Sequence, residues 1–521
     1  MIRPAASLLA VSLLSAPVLE AQFPPLTVPR GRVALELAPR FDTWSRRFRD
    51  GTGEPVAADY SPSVVGAGFF PALSDAEARL ARVTGQADAI LTVGAHSATQ
   101  LVTVGELGVG LRIGLTSRLT LFGTLPFRRV RVQTTTRFDS TGAGAGFNPA
   151  DATFGAPGGP TAMLAFFTAF DQAITDLDEA IATGTWAGDP ATQAVAAAAL
   201  AEARSLRDDL FTVMQDPATR SPFLPLASSP AGAALSGRIA ALQQQLSGSL
   251  GIGGFAAPPP LPTSRLDAGD FTGFLTNPAG PVAGSVSAPV VSTLGDMEVG
   301  LAYLLVDRGA DSSRATSLRA ALHATVRLPS GQLDNPDRFY DLGTGERQPD
   351  VEGGMVVDAA RGRAALRVAG WYALQLPGNQ LRRLGPPHQP IQFANTRAGV
   401  RRNPGEVLGV GVFPAYRFTP RFALLAGVEW WTRGEDRYEY AEGQVPVAGA
   451  GPESLGLESA ASALTVRAGV TWSHPGTHRS GRASAPLDAG LTWERVVAAS
   501  GGRVPQAESV RALLRVYGRF W

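Results

Sequence analysis

The sequence contains no cysteine, so neither a disulfide framework nor a thiolate metal site is possible. Lysine is also missing, and all 46 basic residues are arginine. The 45 acidic residues nearly balance them, and the net charge of +1 creates no overall field that would favour nucleic acid or an anionic membrane surface. No apolar run of 18 or more residues follows the first thirty positions, which argues against transmembrane helices in the rest of the chain.

The first 21 residues have the features of a secretory signal peptide. A cation at Arg3 precedes a short apolar stretch over 5–18, and Glu20-Ala21-Gln22 follows it. This stretch is too short for a membrane anchor, and cleavage is predicted after Ala21. A buried N-terminal helix is the alternative interpretation. A signal peptide predicts export, with residues 22–521 as the mature chain.

Much of the remaining chain alternates apolar and polar residues with a period of two, which is typical of β-strands with two different faces. In the final segment Val510, Leu514 and Phe520 share one face, whereas Arg511 and Arg515 lie on the other. Such a strand suits an outer-membrane barrel, whose apolar exterior ends in aromatic girdles. A soluble sandwich strand could show the same alternation, so this segment alone does not decide the fold.

Counting gives about twelve strands, an even number as single-chain bacterial barrels require. Their connections alternate in length. Short connections are predicted at 116–118, 308–313, 360–363, 419–421 and 474–481, and long ones at 48–95, 138–293, 329–348, 377–406, 436–458 and 495–508. Outer-membrane barrels have short periplasmic turns and long extracellular loops. The predicted fold is therefore all-β: a transmembrane antiparallel up-and-down barrel of about twelve strands in the cell outer membrane.

The period changes between 138 and 293, where the pattern predicts an α-helical insert. Helices are predicted over 161–183, 190–215 and 230–247, and Asp189 is expected to cap the second of them before Pro190. The insert would be an extracellular cap over the barrel mouth, a plug in the lumen, or an exposed interaction module.

Two local features are also predicted. Ser74 and Glu77 are expected to form a capping box at the start of a short helix in the first long loop. Next to Pro126 the apolar positions change face, since Val130 and Val132 follow the opposite register. A β-bulge would explain both the proline and the change of register.

The polar faces of the predicted strands identify candidates for the lumen lining. They are Glu36, Glu106, Arg112, Asp296, Glu298, Arg319, His323, Arg327, Asp350, Glu352, Arg367, Glu429, Arg467, Arg511 and Arg515. Both signs occur in similar numbers, whereas a strongly selective pore shows one sign at its constriction. The mixture predicts a narrow, salt-bridged lumen. For any one of these charges, the plainest interpretation is that it solvates and braces the wall. The carboxylates of Asp296, Glu298, Asp350 and Glu352 are expected to pair with Arg319, Arg327 or Arg367 on neighbouring strands.

The enzymatic alternative is an outer-membrane lipase, since His323 is the only histidine on a predicted strand face. A hydrolase needs a nucleophile and an orienting partner near that ring. Thr325 shares its face, but no Gly-x-Ser-x-Gly pattern surrounds it. No catalytic residue, cofactor or metal ligand is therefore predicted. The expected partners are outer-membrane lipid, a small-molecule solute and, through the C-terminal strand, the barrel-assembly machinery; no nucleic acid is expected.

Several short motifs resemble a known family. They are Gly295-Asp-Met-Glu-Val-Gly-Leu-Ala-Tyr303, Arg327-Leu-Pro-Ser-Gly331, Asp341-Leu-Gly-Thr-Gly345 and Asp350-Val-Glu-Gly353. They are similar to outer-membrane proteins grouped as phenol meta-pathway degradation or putative transporter proteins. The resemblance covers about 105–127 and 293–521 and excludes the insert. It implies a barrel that passes small, often hydrophobic or aromatic molecules across the outer membrane.

The predicted function is therefore a channel for passive uptake of such molecules. The alternative is a structural or surface-interaction barrel whose lumen is plugged and whose insert binds a partner outside the cell.

Overall fold

The computed structural model describes residues 27–86, 91–308, 316–419, 421–474, 478–479, 482–483 and 486–519. The predicted signal peptide and the last two residues, Phe520 and Trp521, lie outside this description.

Within the described residues, twelve long strands form one closed antiparallel barrel. They are β1 (Arg32–Trp44), β2 (Ala95–Gly114), β3 (Leu119–Asp139), β4 (Met297–Arg308), β5 (Thr316–Leu328), β6 (Asp350–Arg361), β7 (Ala364–Gln375), β8 (Val407–Arg417), β9 (Phe422–Arg433), β10 (Ala461–His474), β11 (Leu487–Ser500) and β12 (Glu508–Arg519). Each strand pairs with its neighbours in the chain, and β12 pairs with β1, where Arg515 lies opposite Glu36. The predicted up-and-down barrel of about twelve strands is confirmed.

The connections lie at two ends of the barrel, called here the turn end and the loop end. The turn end has the connections 115–118, 309–315, 362–363, 418–421 and 475–486, and the loop end has 45–94, 140–296, 329–349, 376–406, 434–460 and 501–507. The predicted alternation in length is confirmed except in the last pair. There β11 continues to Ser500, so the 501–507 connection is shorter than the 475–486 connection.

The outward side chains of the barrel form an apolar belt between two rows of aromatic residues. The loop-end row contains Phe41, Phe127, Tyr372, Trp430 and Trp493, and the turn-end row contains Tyr303, Tyr416, Phe418, Phe422 and Trp472. On β9, Phe422 and Trp430 are eight residues apart, or about 27 Å along an antiparallel strand. At the tilt of about 40° that strands have in outer-membrane barrels, this length corresponds to a height of roughly 20 Å, comparable with their apolar band of about 25 Å between aromatic girdles.

β2 and β3 continue beyond this belt at the loop end, and the polarity of their faces changes there. On β3, Phe127 points outward at the edge of the belt, and Arg129 and Arg131 point outward above it. Val130 and Val132 point inward and are buried. β2 and β3 pair in continuous register from Ala95 opposite Asp139 to Gly114 opposite Thr120.

The predicted bulge in β3 is therefore wrong. The apolar residues change face because the surroundings change: below Arg129 the outside is lipid, and above it the outside is water and the inside is a protein core. A bulge does occur beside Pro126, but in the neighbouring segment 294–298, which has one extra residue where it pairs with β3. Thr124 pairs with Glu298 and Phe127 with Leu294, so three steps on β3 match four on its partner.

The helices are α1 (Ser74–Thr84), α2 (Gly159–Ala182), α3 (Pro190–Met214), α4 (Pro230–Gln244), which continues as a π-turn over Gln245–Ser249, and α5 (Ala268–Thr276). Short strands at the loop end are Arg46–Arg49, Thr52–Pro55, Ala145–Phe147, Phe223–Pro225, Val291–Leu294, Gly378–Arg383, Arg397–Asn403, Arg437–Tyr440 and Arg503–Pro505; His478–Arg479 and Arg482–Ala483 pair at the turn end. Single 3-10 turns cover Ala58–Tyr60, Pro71–Leu73, Ala394–Thr396 and Pro452–Gly456.

The two predicted helix caps have different outcomes. Asp189 accepts hydrogen bonds from the backbone N–H groups of Ala191 and Thr192 and so caps α3, as predicted. The capping box at Ser74 is wrong, because the 3-10 turn leads directly into α1 and Ser74 already has helical backbone angles. Glu77 instead accepts the backbone N–H of Leu91 at 2.9 Å.

The helical insert packs over the loop end of the barrel. Its core joins α2 to α5 with the 45–94 loop and with the inner faces of β2 and β3 above the belt, including Val104 and Val130. Aromatic rings dominate this core: Phe138 of β3 stacks on Phe271 of α5 with ring centroids 4.3 Å apart. We call the insert and the 45–94 loop the cap.

Candidate functional site: the barrel lumen

The inner faces of the strands enclose a cavity of about 220 Å³ beneath the cap. Its lining comes from β1 to β6 and from β10 to β12, together with Asp296 just before β4. Within the described residues, no side chain of the helical insert takes part in the lining. The described side chains of the insert therefore lie outside this cavity.

β7 to β9 contribute apolar residues that fill their side of the lumen. Phe413 and Trp371 are buried, together with alanines and leucines on the same inner faces. The Trp371 ring packs closely against β8 at Gly409, where a Cβ would stand 2.2 Å from the ring. The Arg467 guanidinium lies 5.0 Å from the centroid of the Phe413 ring. These contacts restrict the open space to the opposite, charged side of the barrel.

Glu36 on β1 forms ion pairs with both neighbouring strands, β2 and β12. Its Oε1 lies 2.6 Å from Nε of Arg112 on β2 and 2.7 Å from Nε of Arg515 on β12. Inward side chains on paired strands are about 5 Å apart, so opposite charges in register meet across the strand boundary. The expectation that the closing strand's arginines meet a carboxylate of the first strand is confirmed for Arg515.

A second group of ion pairs follows β4, β5 and β6. Arg327 lies 3.1 Å from Glu298 and 3.1 Å from Asp350. Nε2 of His323 lies 3.0 Å from the Glu352 carboxylate. The predicted pairing with an arginine is confirmed for Glu298 and Asp350, which share Arg327. It is wrong for Glu352, whose partner is His323, and for Asp296, which accepts backbone N–H groups.

Further pairs continue around the wall. Arg467 lies 2.9 Å from Glu494 and 3.5 Å from Glu429. Arg367 lies 2.7 Å from Asp358 and is almost fully buried. Arg511 lines the cavity beside Glu494.

Arg319 differs from the other candidates. It pairs with Asp307 at 3.1 Å near the turn end, and both side chains are about half exposed. It therefore lies on the rim of the barrel, because it is only three residues from the start of β5. Four other candidates, Asp350, Arg367, Glu429 and Arg515, are buried in the wall and also do not line the cavity.

Sequence reasoning missed two charged residues of the lumen, Arg40 and Arg128. Arg128 pairs with Glu106 at 2.6 Å, and Arg40 pairs with Asp42 at 2.8 Å. Arg40 is four residues from Glu36 on the same strand and therefore on the same face, so alternation alone could have identified it. Arg128 was obscured by the change of polarity after Pro126.

Asp296 fixes a loop to the mouth of the lumen. Its two carboxylate oxygens accept the backbone N–H groups of Gly331 at 2.8 Å and Glu346 at 2.9 Å. A Cβ at Gly345 would stand 2.5 Å from this carboxylate, which explains the close approach of the backbone. Arg128 donates to the carbonyl of Thr344 at 2.7 Å. We call Ser330–Glu346 the mouth loop; its motif Asp341-Leu-Gly-Thr-Gly345 is buried.

A second charged cluster lies in the loops above the barrel. Asp436 contacts Arg433 and lies 2.8 Å from Arg402, which also lies 3.0 Å from Glu346. Burial would raise the pKa of Asp436, but the two guanidinium groups outweigh it and hold this pKa at about 2.

Asp436 should therefore make the loop region sensitive to strong acid. Its folded pKa is depressed, so its contribution of about 2 kcal/mol is present above pH 4 and is lost as pH falls through about 2. Hydrogen exchange over 397–403 and 437–440, corrected for intrinsic rates, should accelerate over this window. Asp436→Asn should show the fast exchange already at neutral pH, and the exposed Glu439→Gln should not. Equal pH responses of wild type and Asp436→Asn would contradict this assignment.

His323 has the surroundings of an ion-pairing residue. Among the described residues, no hydroxyl group is hydrogen-bonded to its ring, and its partner is Glu352. A Cβ at Gly354 would stand 2.3 Å from the ring, so the imidazole lies against the wall. This arrangement lacks the nucleophile that a lipase needs beside its histidine.

Two kinds of feature are absent from the described residues. No group of three or more histidine, aspartate or glutamate side chains there could hold a metal ion. No helix in that part of the chain is long and apolar enough to cross a membrane.

The barrel is closed, so no strand edge is left unpaired in lipid, and its exterior is apolar while its interior carries charge. These features define a transmembrane β-barrel of the cell outer membrane.

Comparisons with known proteins add remote likenesses to this class. No protein-family model and no curated protein matches the chain. An outer membrane channel from Pseudomonas putida F1 is 10% identical, with a TM-score of 0.41 over 97% of this chain and 98% of that one. The Pseudomonas putida toluene transporter TodX is 9% identical, with a TM-score of 0.25 over 98% and 93%. A Pseudomonas aeruginosa FadL homologue is 9% identical, with a TM-score of 0.28 over 97% and 98%. The resemblance to the phenol meta-pathway family stays a prediction.

Proposed function

We propose that this barrel is a channel for the passive uptake of small, mainly uncharged molecules, including aromatic ones. The cavity of about 220 Å³ inside the barrel carries this proposal. A cavity of about 150 Å³ in a protein interior can hold benzene, so a single aromatic ring fits the space. The loop end would face the outside of the cell, as long loops do in such barrels.

The pairing of the wall charges supports an uncharged solute. Glu36, Arg327 and Glu494 are each engaged with opposite charges at 3.1 Å or less. An ion would have to compete with these pairs, whereas an uncharged molecule would not. The same cavity offers it apolar contacts from Phe122, Ala302 and other small side chains. A concentration gradient would drive its movement.

A bulky side chain in the cavity should reduce the flux. Ala321 on β5 is buried and lines the cavity, so Ala321→Trp should fill much of the space and lower solute flux severalfold in a liposome-swelling assay. Ala324 lies on the outward face of the same strand. Ala324→Trp adds the same mass toward lipid and should leave the flux unchanged. Equal flux through wild type and Ala321→Trp would contradict a route through this cavity.

The alternative function is a sealed barrel whose cap binds a partner. The continuous core between the cap and β2 and β3 favours it, because that core covers the mouth. Deletion of residues 138–293 would not separate the two functions cleanly, since it would expose Val104, Val130 and their neighbours. A barrel that stays closed to solutes even after the mouth loop is released would favour the sealed barrel.

Two further roles are proposals as well. The chain would be exported through its N-terminal signal peptide. β12 would be recognised by the barrel-assembly machinery, which is consistent with its apolar outward face at Val510, Leu514 and Val516.

A further inference from the structure

The outward face of β3 carries a basic strip directly above the lipid-facing belt. Arg129 and Arg131 are exposed and two residues apart, about 7 Å along one face of the strand. Phe127 lies immediately below them in the loop-end aromatic row, and Arg137 is exposed farther from the membrane. The strip therefore begins where the exterior changes from lipid to water.

The residues beside this strip are uncharged. Arg129 lies opposite Gly105 and Arg131 opposite Thr103 on β2, and on the other edge Arg129 lies opposite Ser292. The outward positions of β1 and β2 carry no carboxylate, and on β3 the first one is Asp139 at the end of the strand. The outward positions beside Arg129 and Arg131 on the paired strands therefore carry no carboxylate.

Other parts of the loop-end aromatic row have the opposite character. The Trp493 indole donates a hydrogen bond to the Glu508 carboxylate at 2.7 Å. Tyr372 likewise has a hydrogen bond with Glu406. These carboxylates would repel an anionic headgroup, so a site for one is confined to the side of the barrel formed by β1 to β3.

The same surface offers room for the apolar part of an amphiphile. A Cβ at Gly105 would meet nothing within 4 Å, so an open notch lies beside Arg129. Phe41 on β1 lies in register on the other side of Gly105 and is about half exposed. Below the notch, Leu107 and Phe127 belong to the apolar belt. Cations therefore stand above an apolar groove.

We infer that the face formed by Phe41, Gly105, Arg129 and Arg131 binds a phosphorylated glycolipid of the outer leaflet of the outer membrane. Its phosphate would lie between Arg129 and Arg131, with the Thr103 hydroxyl as a further donor, and its acyl chains would lie along Leu107 and Phe127. Arginine is well suited to this role because its planar guanidinium binds phosphate through two parallel hydrogen bonds. The inference requires that the loop end face outward, and it does not depend on channel activity.

The test uses the full chain in a neutral detergent and native mass spectrometry, with bisphosphorylated lipid A as the probe and dephosphorylated lipid A as its matched comparison. Wild type should bind the phosphorylated lipid, and the double variant R129Q/R131Q should bind it about tenfold more weakly. R361Q/R363Q removes two exposed arginines from the turn end and should leave binding unchanged.

Three results would overturn the inference. Wild type could bind both lipids equally, which would leave no role for phosphate. R361Q/R363Q could lose as much binding as R129Q/R131Q, which would indicate general charge attraction. Inorganic phosphate could displace the lipid at equal concentration, which would indicate an anion site and not a lipid site. If R129Q/R131Q fails to give a heat-modifiable folded band, the comparison of the two lipids on wild type still decides.

Discussion

Glu36→Gln should destabilise the barrel by about 3–5 kcal/mol, because it leaves one buried and one mostly buried guanidinium group without their carboxylate. Glu36 lies within 2.7 Å of both Arg112 and Arg515, whose side chains are 15% and 1% exposed. These three residues belong to β12, β1 and β2, so the ion triad joins the strand that closes the barrel to the first two strands. The change therefore weakens the seam on which closure depends.

Urea unfolding in lipid vesicles, followed by tryptophan fluorescence, would measure this loss. Asp307→Asn is the matched control, since Asp307 pairs with Arg319 at 3.1 Å but both side chains are about half exposed. An exposed pair of this kind contributes about 1 kcal/mol or less. Adding Arg112→Gln to Glu36→Gln should recover part of the stability, because one uncompensated charge is then removed. If Glu36→Gln unfolds at the same urea concentration as wild type, the triad is not what holds the seam together.

Asp296→Ala should open the mouth of the lumen and raise single-channel conductance several times above wild type. Asp296 holds both ends of the mouth loop through backbone N–H groups at 2.8 and 2.9 Å. Hydrogen bonds to a charged group contribute about 1.5–3 kcal/mol each, so their loss should free the loop from its buried position. The loop would then fluctuate away from Arg128 and from the cavity below it.

Planar-bilayer recordings would show this as larger or more frequent open states. Asp296→Asn keeps one acceptor but turns an amide N–H toward the second backbone N–H, so its conductance should fall between wild type and Asp296→Ala. Asp307→Asn, at the other end of the barrel, should behave as wild type. A folded Asp296→Ala barrel with no conductance would count against the channel and favour the sealed barrel.

The alternation of residues was sufficient to predict most of the barrel. In each strand, apolar side chains face the lipid and polar side chains face the lumen. Leu35 and Val326 point outward, and the adjacent Glu36 and Arg327 point inward. Both pairs fall on the predicted faces. The same rule failed at Val130, because a change of face can result from a bulge or from a strand that leaves the lipid. Only the continuous pairing of β2 with β3 distinguishes these two causes.

The partners of the lumen charges could be predicted only in part. Neighbouring strands suggested that Glu298 and Asp350 would meet arginines, and both contact Arg327. Alternation predicts that Arg319 and Arg327 point to the same side of β5, but Arg319 lies at the rim of the barrel, paired with Asp307. Alternation predicts whether a side chain points to the lumen or to the lipid. It does not predict how far along the barrel axis the residue lies, because that depends on where the strand enters and leaves the membrane.

By itself the sequence determined the number of strands, their order and the direction of most side chains, because those features follow from local periodicity and connection length. The tertiary structure alone decided that the insert packs on β2 and β3 at the loop end, that Asp296 holds the mouth loop and that β7 to β9 fill their side of the interior. These features join residues far apart in the chain, such as Phe138 with Phe271 or Asp296 with Glu346. Such contacts form only when the closed barrel brings distant loops together at one end, so they cannot be predicted from local sequence patterns.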